Sequence, residues 1–305
     1  MTIPEHYPYR SAAAKAEYLA FYQRSAARWP ADSPSRMVPT SFGQTFVRIH
    51  GPDGAPPLVL LPGITTSSLF WSANIRAFSQ RYRCFALDRI GDVGLSVCTR
   101  PFTGRGDLVR WLDEVFTGLG LGSGVHLLGM SYGAWLAAQY ALAFPDRLGK
   151  MVLLAPGATV LRTSWQVFAR GALAFTRRRC FVRSFAAWLL ADLARQDLAR
   201  QDPSRVERRV DSMLRTFRCI QPRIIGPTLL TNQELGSLRM PTLFLVGEHE
   251  KIYSAAKAVR RLHRVAPRIQ AEIVPNAGHD LTIAQPDVVH RKVLAFLEAP
   301  NRQPA

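Results

Sequence analysis

Short apolar runs alternate with amphipathic stretches along most of the chain. Several runs are unbroken, as expected of strands covered on both faces of a sheet: LVLLP, CFALD, KMVLLAP and PTLFLVG. Between them lie segments of about 10 to 15 residues with helical periodicity, such as GDLVRWLDEVFTGLG and SAAKAVRRLHRVAP. This alternation predicts an α/β fold, with a mostly parallel sheet, right-handed crossovers and helices on its faces.

Two segments fall outside this alternation. Residues 1–39 predict an N-terminal helix, over residues 10–29, followed by a proline-rich linker. Residues 158–239 are helix-like and poor in strand patterns. The sheet is therefore assigned to residues 40–157 and 240–299, with the helical segment inserted between these two parts.

A candidate nucleophile stands at the end of a predicted strand. In parallel sheets the ligand crevice lies beyond the carboxyl ends of the strands, so catalytic side chains are expected directly after them. Ser131 follows VHLLGM in the sequence GMSYG, between a strand pattern and a helix pattern. This order fits a nucleophile elbow. Gly129 and Gly133 fit as well, because a side chain at either position would collide with the neighbouring strand or helix.

A serine hydroxyl needs a base and an orienting carboxylate to act as a nucleophile. Of the seven histidines, His279 both follows a strand pattern and has a glycine before it, in VPNAGHDLT. The loop after PTLFLVG offers Glu248 and Glu250. We favour Glu250, because it lies three residues past the strand-ending glycine and can turn inward. Three aspartates are weaker candidates: Asp88, Asp92 and Asp280.

The transition state of acyl transfer carries an oxyanion, which preset N–H donors stabilise. Tyr132, directly after the candidate nucleophile, supplies one backbone N–H. We expect the second from Ile64 in GITTSS, the loop after the strand LVLLP, where Gly63 lets the chain turn. The sequence therefore predicts an oxyanion hole formed by two backbone groups.

Five ordered motifs, within about residues 40–298, resemble those of the α/β-hydrolase superfamily. LLPGITTSSLFW resembles its oxyanion segment, DRIGDVGLS its loop of spaced Asp, Gly and Ser residues and GMSYG its elbow, while LVGEHE and NAGHD resemble its acid and histidine loops. TSFGQTFVRIHGPDGAPPLVLLPG further resembles bacterial carboxylesterase-like members. Two positions depart from the usual pattern: Pro62 replaces a histidine, and Glu250 stands where aspartate is commoner.

This resemblance implies a serine hydrolase that cleaves carboxylic esters or thioesters through an acyl-enzyme on Ser131, with residues 158–239 as a helical cap. Other activities on the same fold remain open: C–C bond hydrolysis, lactone chemistry and cofactor-free oxidation. A non-catalytic ligand-binding homologue is a further alternative, since a fold does not determine a function.

The formal charge of +17 is unusual, and 34 of the 39 basic residues are arginines. No zinc-finger spacing or aromatic-basic RNA motif accompanies this charge, so we expect no specific nucleic-acid partner. Within the predicted cap, Arg177, Arg178 and Arg179 have two interpretations. They coat a solvent-facing surface, or they bind an anionic substrate such as an acyl carrier.

The remaining features indicate a cytoplasmic protein. No window approaches the roughly 18 unbroken apolar residues of a membrane span, and the N-terminus lacks an apolar signal core. The four cysteines have neither metal nor redox spacing, which predicts reduced thiols. The sequence thus predicts a small-molecule substrate, no metal, no cofactor and no membrane partner, and it leaves the oligomeric state open.

Overall fold

The fold centres on a single mixed sheet. The computed structural model describes residues 3–193, 204–221 and 223–300. The strands of this part are β1 (Ser35–Thr40), β2 (Gly43–His50), β3 (Pro57–Leu61), β4 (Arg83–Leu87), β5 (Val97–Cys98), β6 (Val125–Met130), β7 (Leu148–Leu154), β8 (Thr242–Gly247) and β9 (Ile269–Val274). Their order is β1-β2-β4-β3-β6-β7-β8-β9, with β5 paired to β2. From β4 to β9 the neighbours pair in parallel, as the unbroken apolar runs predict.

Helices fill the connections between these strands. In chain order they are α1 (Ala12–Ala26), α2 (Ile75–Phe78), α3 (Arg105–Gly118), α4 (Tyr132–Ala143), α5 (Trp165–Ala174), α6 (Arg179–Leu189), α7 (Ser204–Cys219), α8 (Asn232–Gly236), α9 (Ala255–Val265), α10 (Leu281–Ala284) and α11 (Pro286–Glu298). Two short 3₁₀ helices span Ser68–Ala73 and Pro145–Arg147. No described helix combines the length and the apolar character needed to cross a bilayer.

Both faces of the central strands are buried, which explains why their sequences lack polar alternation. In β6, Leu127 packs into the core on one face, with Trp111 of α3 and Trp135 of α4. The next residue, Leu128, packs on the opposite face, with Trp71 and the buried side of α11. Each face thus has a large aromatic-rich cluster that fixes the strand register.

Two local predictions are wrong. Residues 35–40, assigned to a linker, form β1, which pairs antiparallel with β2. The strand tolerates Pro39 because it lies at the sheet edge, where a missing N–H breaks no inner ladder. The spacing of SANIRAFSQRY predicts one helix over residues 72–82, but this stretch holds only the end of the 3₁₀ helix Ser68–Ala73 and the short α2. The Asn74 N–H donates to the Trp71 carbonyl, which closes a 3₁₀ turn before α2 begins.

The segment between β7 and β8 holds α5, α6, α7 and α8 among its described residues. Residues 194–203 and 222 of the predicted cap lie outside the described part of the chain. The N-terminal segment binds to the insertion through a bridge between Tyr9 and Ile220 and through the Arg215–Glu17 ion pair, 3.0 Å long. None of the four cysteines forms a disulfide, and all of them except Cys180 are buried.

A buried lysine fastens α11 to the sheet. Lys150 of β7 is 5% exposed, and its Nζ donates hydrogen bonds of 2.9 Å to the carbonyl oxygens of Phe296 and Leu297. A third donation reaches the carbonyl of Ala299. These carbonyls end the helix and have no intrahelical donor, so the ammonium replaces the missing partners.

We expect Lys150→Met to keep the apolar stem and to lower the free energy of unfolding by about 1–3 kcal/mol, because the helix-end carbonyls lose a charged donor. Urea unfolding measures this change. The matched control is Lys257→Met, on the exposed face of α9; it should change stability by less than about 0.5 kcal/mol. Equal stability of the two variants would contradict the capping role of Lys150.

Candidate active site

The nucleophile elbow forms where β6 ends and α4 begins. Ser131 connects them with φ 53° and ψ −110°, a conformation that side chains rarely adopt. A Cβ at Gly129 would lie 2.4 Å from the carbonyl carbon of Gly133, and a Cβ at Gly133 would lie 2.4 Å from the carbonyl oxygen of Leu61. Glycine is therefore required at both positions, because backbone occupies the space that a side chain would need.

The loop after β9 brings His279 to the serine. The Nε2 atom of His279 lies 3.0 Å from the Oγ atom of Ser131, and its Nδ1 atom lies 2.9 Å from an Oε atom of Glu250. With the ring proton on Nδ1, the imidazole donates to the carboxylate and accepts the serine hydroxyl. His279 is buried, whereas Ser131 is half-buried and remains accessible from the edge of the sheet.

Of the two acids in the loop after β8, the structure brings only Glu250 to the histidine. Its side chain is fully buried, and its second oxygen accepts a hydrogen bond of 2.8 Å from the Ile252 N–H. Glu248 instead has a half-exposed side chain that accepts the Asn276 N–H at 3.0 Å. The third residue after the strand end turns inward because the Glu250 N–H bonds back to the Gly247 carbonyl, 3.1 Å away.

The buried environment sets the basicity of the imidazole. Burial lowers the pKa of His279, but the Glu250 carboxylate, its hydrogen bond and the neighbouring carboxylates together raise it by more, so the net pKa lies above its usual value. The Asp280 and Asp192 carboxylates add to this rise. The structure thus places a base of increased proton affinity next to the serine hydroxyl.

The loop after β3 lies against the elbow from the other side. A Cβ at Gly63 would lie 3.8 Å from the Cβ of Ser131, so the two backbones are close neighbours. The N–H groups of Ile64 and Tyr132 donate no hydrogen bond within the described part of the chain. Tyr132 is the first residue of α4, where the N–H groups and the helix dipole favour negative charge.

Two aspartates that sequence reasoning treated only as weaker acid candidates hold this loop. Asp92 accepts the Thr65 N–H at 2.9 Å and pairs with the buried Arg89. Asp88 is fully buried and accepts the Ser68 N–H at 2.7 Å. Burial raises the pKa of Asp88, although the hydrogen bonds it accepts oppose this rise. The signal for these roles was the motif DRIGDVGLS, which places both acids directly after β4.

Gly94 of the same motif makes room for the carboxylate. A Cβ at Gly94 would lie 2.3 Å from an oxygen of Asp88, and the backbone there has φ 136°. The Asp88 oxygen also accepts the hydroxyl of Tyr22, from α1, at 2.9 Å. The N-terminal helix therefore contributes to the support of the loop after β3, a role that its sequence did not indicate.

The predicted cap arginines do not contact the triad in the described structure. Arg179 binds Glu207 and Asp211 of α7 at 3.0 and 2.5 Å, which neutralises its charge locally. Arg177 and Arg178 are exposed directly before α6 and form no ion pair with a described residue. The three arginines are thus divided between an interhelical contact and a free surface.

Comparison with known proteins places this site in a family. A model of the alpha/beta hydrolase family matches residues 58–292. Carboxylesterase YbfK of Bacillus subtilis is 35% identical over 285 residues, which cover 92% of this chain and 94% of that protein. An uncharacterized carboxylesterase, nap, of the same organism is also 35% identical, with 92% of each chain covered.

Solved structures agree with the sequence relatives. The crystal structure of naproxen esterase from Bacillus subtilis has a TM-score of 0.82 at 32% identity, and covers 95% of this chain and 100% of its own. That of carboxylesterase CesB (YbfK) has a TM-score of 0.81 at 33% identity, with 93% and 99% covered. The family inferred from the five motifs and the α/β-hydrolase fold are confirmed. The chain belongs to the alpha/beta hydrolase family.

Proposed function

We propose that this chain is a serine carboxylic ester hydrolase that works through an acyl-enzyme on Ser131. The observation that carries this proposal is the buried hydrogen-bond chain from Ser131 through His279 to Glu250. The 35% identity to two proteins named carboxylesterases, over nearly the whole length of each, supports the same reaction class.

In the first half-reaction, the Oγ atom of Ser131 attacks the ester carbonyl carbon while the Nε2 atom of His279 accepts the hydroxyl proton. The carbonyl oxygen becomes an oxyanion, and the free N–H groups of Ile64 and Tyr132 donate to it. When the tetrahedral intermediate collapses, the bond to the alcohol oxygen breaks. His279 then returns its proton to that oxygen, and the acyl group stays on Ser131.

The second half-reaction repeats these roles with water. His279 accepts a proton from the water as its oxygen attacks the acyl carbon, and the same N–H groups hold the second oxyanion. Collapse breaks the bond to the Ser131 Oγ atom, which recovers the proton from His279, and the acid is released. Throughout, Glu250 fixes the imidazole orientation and stabilises the imidazolium ion.

The substrate class follows from this chemistry in part. A small-molecule ester supplies both the carbonyl and a leaving group that a histidine can protonate. A thioester meets the same requirements, so the described triad does not separate the two. Selection between acyl groups belongs to the insertion between β7 and β8, part of which lies outside the described residues.

We expect Ser131→Ala to remove hydrolysis of p-nitrophenyl esters, with kcat reduced at least about a thousandfold, since no other group can form the acyl-enzyme. A panel graded by acyl length, run on both proteins, measures this loss and reports the preferred acyl group. Labelling by a fluorophosphonate should disappear as well. The control Ser237→Ala, an exposed serine after α8, should retain both properties. Wild-type turnover in Ser131→Ala would refute the assignment.

We expect Glu250→Gln to lower kcat by about 10²- to 10⁴-fold, because a neutral amide no longer stabilises the imidazolium ion. The catalytic base is the neutral imidazole, so wild-type kcat/KM falls as pH drops through the raised pKa of His279. Loss of the Glu250 charge lowers that pKa, which moves the acid limb of the profile to lower pH. Glu248→Gln is the matched control and should leave kcat and the limb unchanged. A reversed order of effects would assign the acid to Glu248.

A further inference from the structure

One carboxylate of the insertion lies against the histidine loop. Asp192, in the helical residues 191–193, is 3% exposed, and its Oδ2 accepts the Gly278 N–H at 2.7 Å. Its other oxygen, Oδ1, accepts no hydrogen bond from a described residue. A buried carboxylate with an unsatisfied oxygen destabilises the fold, so its presence calls for a functional explanation.

The contact depends on a glycine next to the catalytic base. A Cβ at Gly278 would lie 2.7 Å from the Oδ1 atom of Asp192, so a side chain there would exclude the carboxylate. On the opposite side of the loop, a Cβ at Gly247 would lie 2.3 Å from the Gly278 carbonyl oxygen, so a side chain there would collide with the loop. The residue before His279 is therefore held between the end of β8 and the insertion.

The charges facing His279 differ in their partners. Glu250 hydrogen-bonds to the ring, and Asp280 pairs with Arg209 of α7 at 3.4 Å. Asp192 forms no ion pair with a cation among the described residues, so its charge acts on the histidine without local neutralisation. The insertion thus supplies one positive and one negative group to the histidine loop.

We propose that Asp192 is a positioning residue of the cap, which fixes His279 relative to Ser131 through the Gly278 N–H and adds negative charge to its surroundings. The proposal rests on the hydrolase function proposed above. Because Asp192 belongs to the insertion, the position of the His279 ring then depends on the contact between the insertion and the histidine loop. Loss of the contact should affect turnover more than substrate binding, because His279 acts on the proton and not on substrate recognition.

Two variants separate geometry from charge. Asp192→Asn keeps an oxygen for the Gly278 N–H; we expect its plateau kcat to stay within about threefold of wild type and its acid limb to move to lower pH. Asp192→Ala removes both the acceptor oxygen and the negative charge. We expect its kcat to fall at least about tenfold and its KM to stay within about threefold of wild type. The control Asp211→Asn removes an exposed charge of α7 that pairs with Arg179, and it should leave the profile unchanged.

The measurements are kcat, KM and kcat/KM against pH on p-nitrophenyl esters, with circular dichroism to establish folding. An unchanged acid limb in Asp192→Asn, together with wild-type kcat in Asp192→Ala, would overturn the positioning role. If Asp192→Ala fails to fold, the acid limb of the kcat/KM profile of Asp192→Asn is the deciding measurement, and an unchanged limb overturns the proposal. Wild-type hydrolysis that persists in Ser131→Ala would instead refute the proposed function, so the two failures are distinguishable.

A separate observation concerns the outer face of α5. The side chains of Trp165, Phe168 and Leu173 are 73%, 67% and 47% exposed, and helical geometry places them on one side. On the opposite side, Val167 packs against the main core and Ala174 is buried. Three large apolar groups in water on one helix face indicate an interaction surface.

The charge around this face restricts its partner. Residues 158–191 contain six arginines and no acidic residue. Arg162, Arg177 and Arg178 are exposed and form no ion pair with a described residue. Two copies of such a face would repel each other, whereas an anionic surface would attract it. Aromatic residues with flanking arginines are typical of helices that lie in a lipid interface.

We infer that this outer face of α5 docks on an anionic lipid bilayer, with Trp165 and Phe168 inserted and Arg162, Arg177 and Arg178 at the phosphates. Peripheral binding of this kind requires no spanning helix. It would correct the expectation of no membrane partner, which rested on the absence of a spanning segment and of an apolar signal core. It would also place an ester hydrolase beside lipid-soluble substrates.

The tryptophans make the test specific. Four of the six are at most 5% exposed (Trp29, Trp71, Trp111 and Trp135), and Trp188 is half-buried. Vesicles of phosphatidylglycerol with brominated phosphatidylcholine should therefore quench mainly Trp165, and vesicles of brominated phosphatidylcholine without phosphatidylglycerol should not. We expect Trp165→Ser with Phe168→Ser to remove this quenching and to weaken cosedimentation at least about tenfold.

The arginine contribution has a matched control. Arg177→Ser with Arg178→Ser should weaken vesicle binding about tenfold, while Arg260→Ser with Arg264→Ser, two exposed arginines of α9, should change it about twofold or less. Equal losses in both pairs would reduce the effect to net charge and overturn the assignment. So would dimerisation by light scattering that depends on Trp165, or retention by an acidic acyl carrier without vesicle binding.

Discussion

The hydrogen bond between His279 and Ser131 joins residues 148 positions apart in the chain, and the proposed chemistry depends on it. The two residues meet because β6 and β9 run parallel and end at the same edge of the sheet. The loops that follow the strands also pack backbone on backbone, as at Gly247 against the carbonyl of Gly278. Strand register and a few obligatory glycines therefore set the reacting distance together.

Charge-assisted hydrogen bonds, rather than regular secondary structure, fix the loops around this edge. Asp92 holds the loop of Ile64, Asp88 holds the same loop further along, and Glu250 holds both His279 and the Ile252 N–H. Each carboxylate is buried. Because a buried charge is tolerated only when it is satisfied, a loop that moved would leave the charge unsatisfied. The penalty for movement keeps the site ordered before a substrate arrives.

The sequence predicted those parts of the site that local patterns determine. Ser131 and His279 follow strands whose apolar runs are unbroken, so their edge of the sheet could be inferred from the order of elements. The choice of Glu250 over Glu248 needed only the reach of a residue beyond a strand end. The oxyanion role of the Ile64 and Tyr132 N–H groups stays a prediction, drawn from the loop after β3 and from the residue that follows Ser131. The assignment of residues 35–40 to a linker failed because an edge strand tolerates the proline that excludes a central one.

The contacts of the insertion could not be predicted from sequence patterns. No periodicity indicates that Asp192 contacts Gly278, or that Arg179 forms ion pairs while Arg177 forms none with a described residue. Such contacts depend on how one helical segment packs on a distant loop, and a single sequence contains no record of that packing.

The same packing explains why the insertion has polar groups on its inner side and an apolar group in solvent. The insertion turns Asp192 and Arg209 toward the histidine loop, and burial strengthens the electrostatic effect of the Asp192 charge. It turns apolar Trp165 outward, where water makes exposure unfavourable. The insertion therefore places polar groups against the histidine loop and apolar groups toward solvent, which is the arrangement that both inferences drawn above from the insertion depend on.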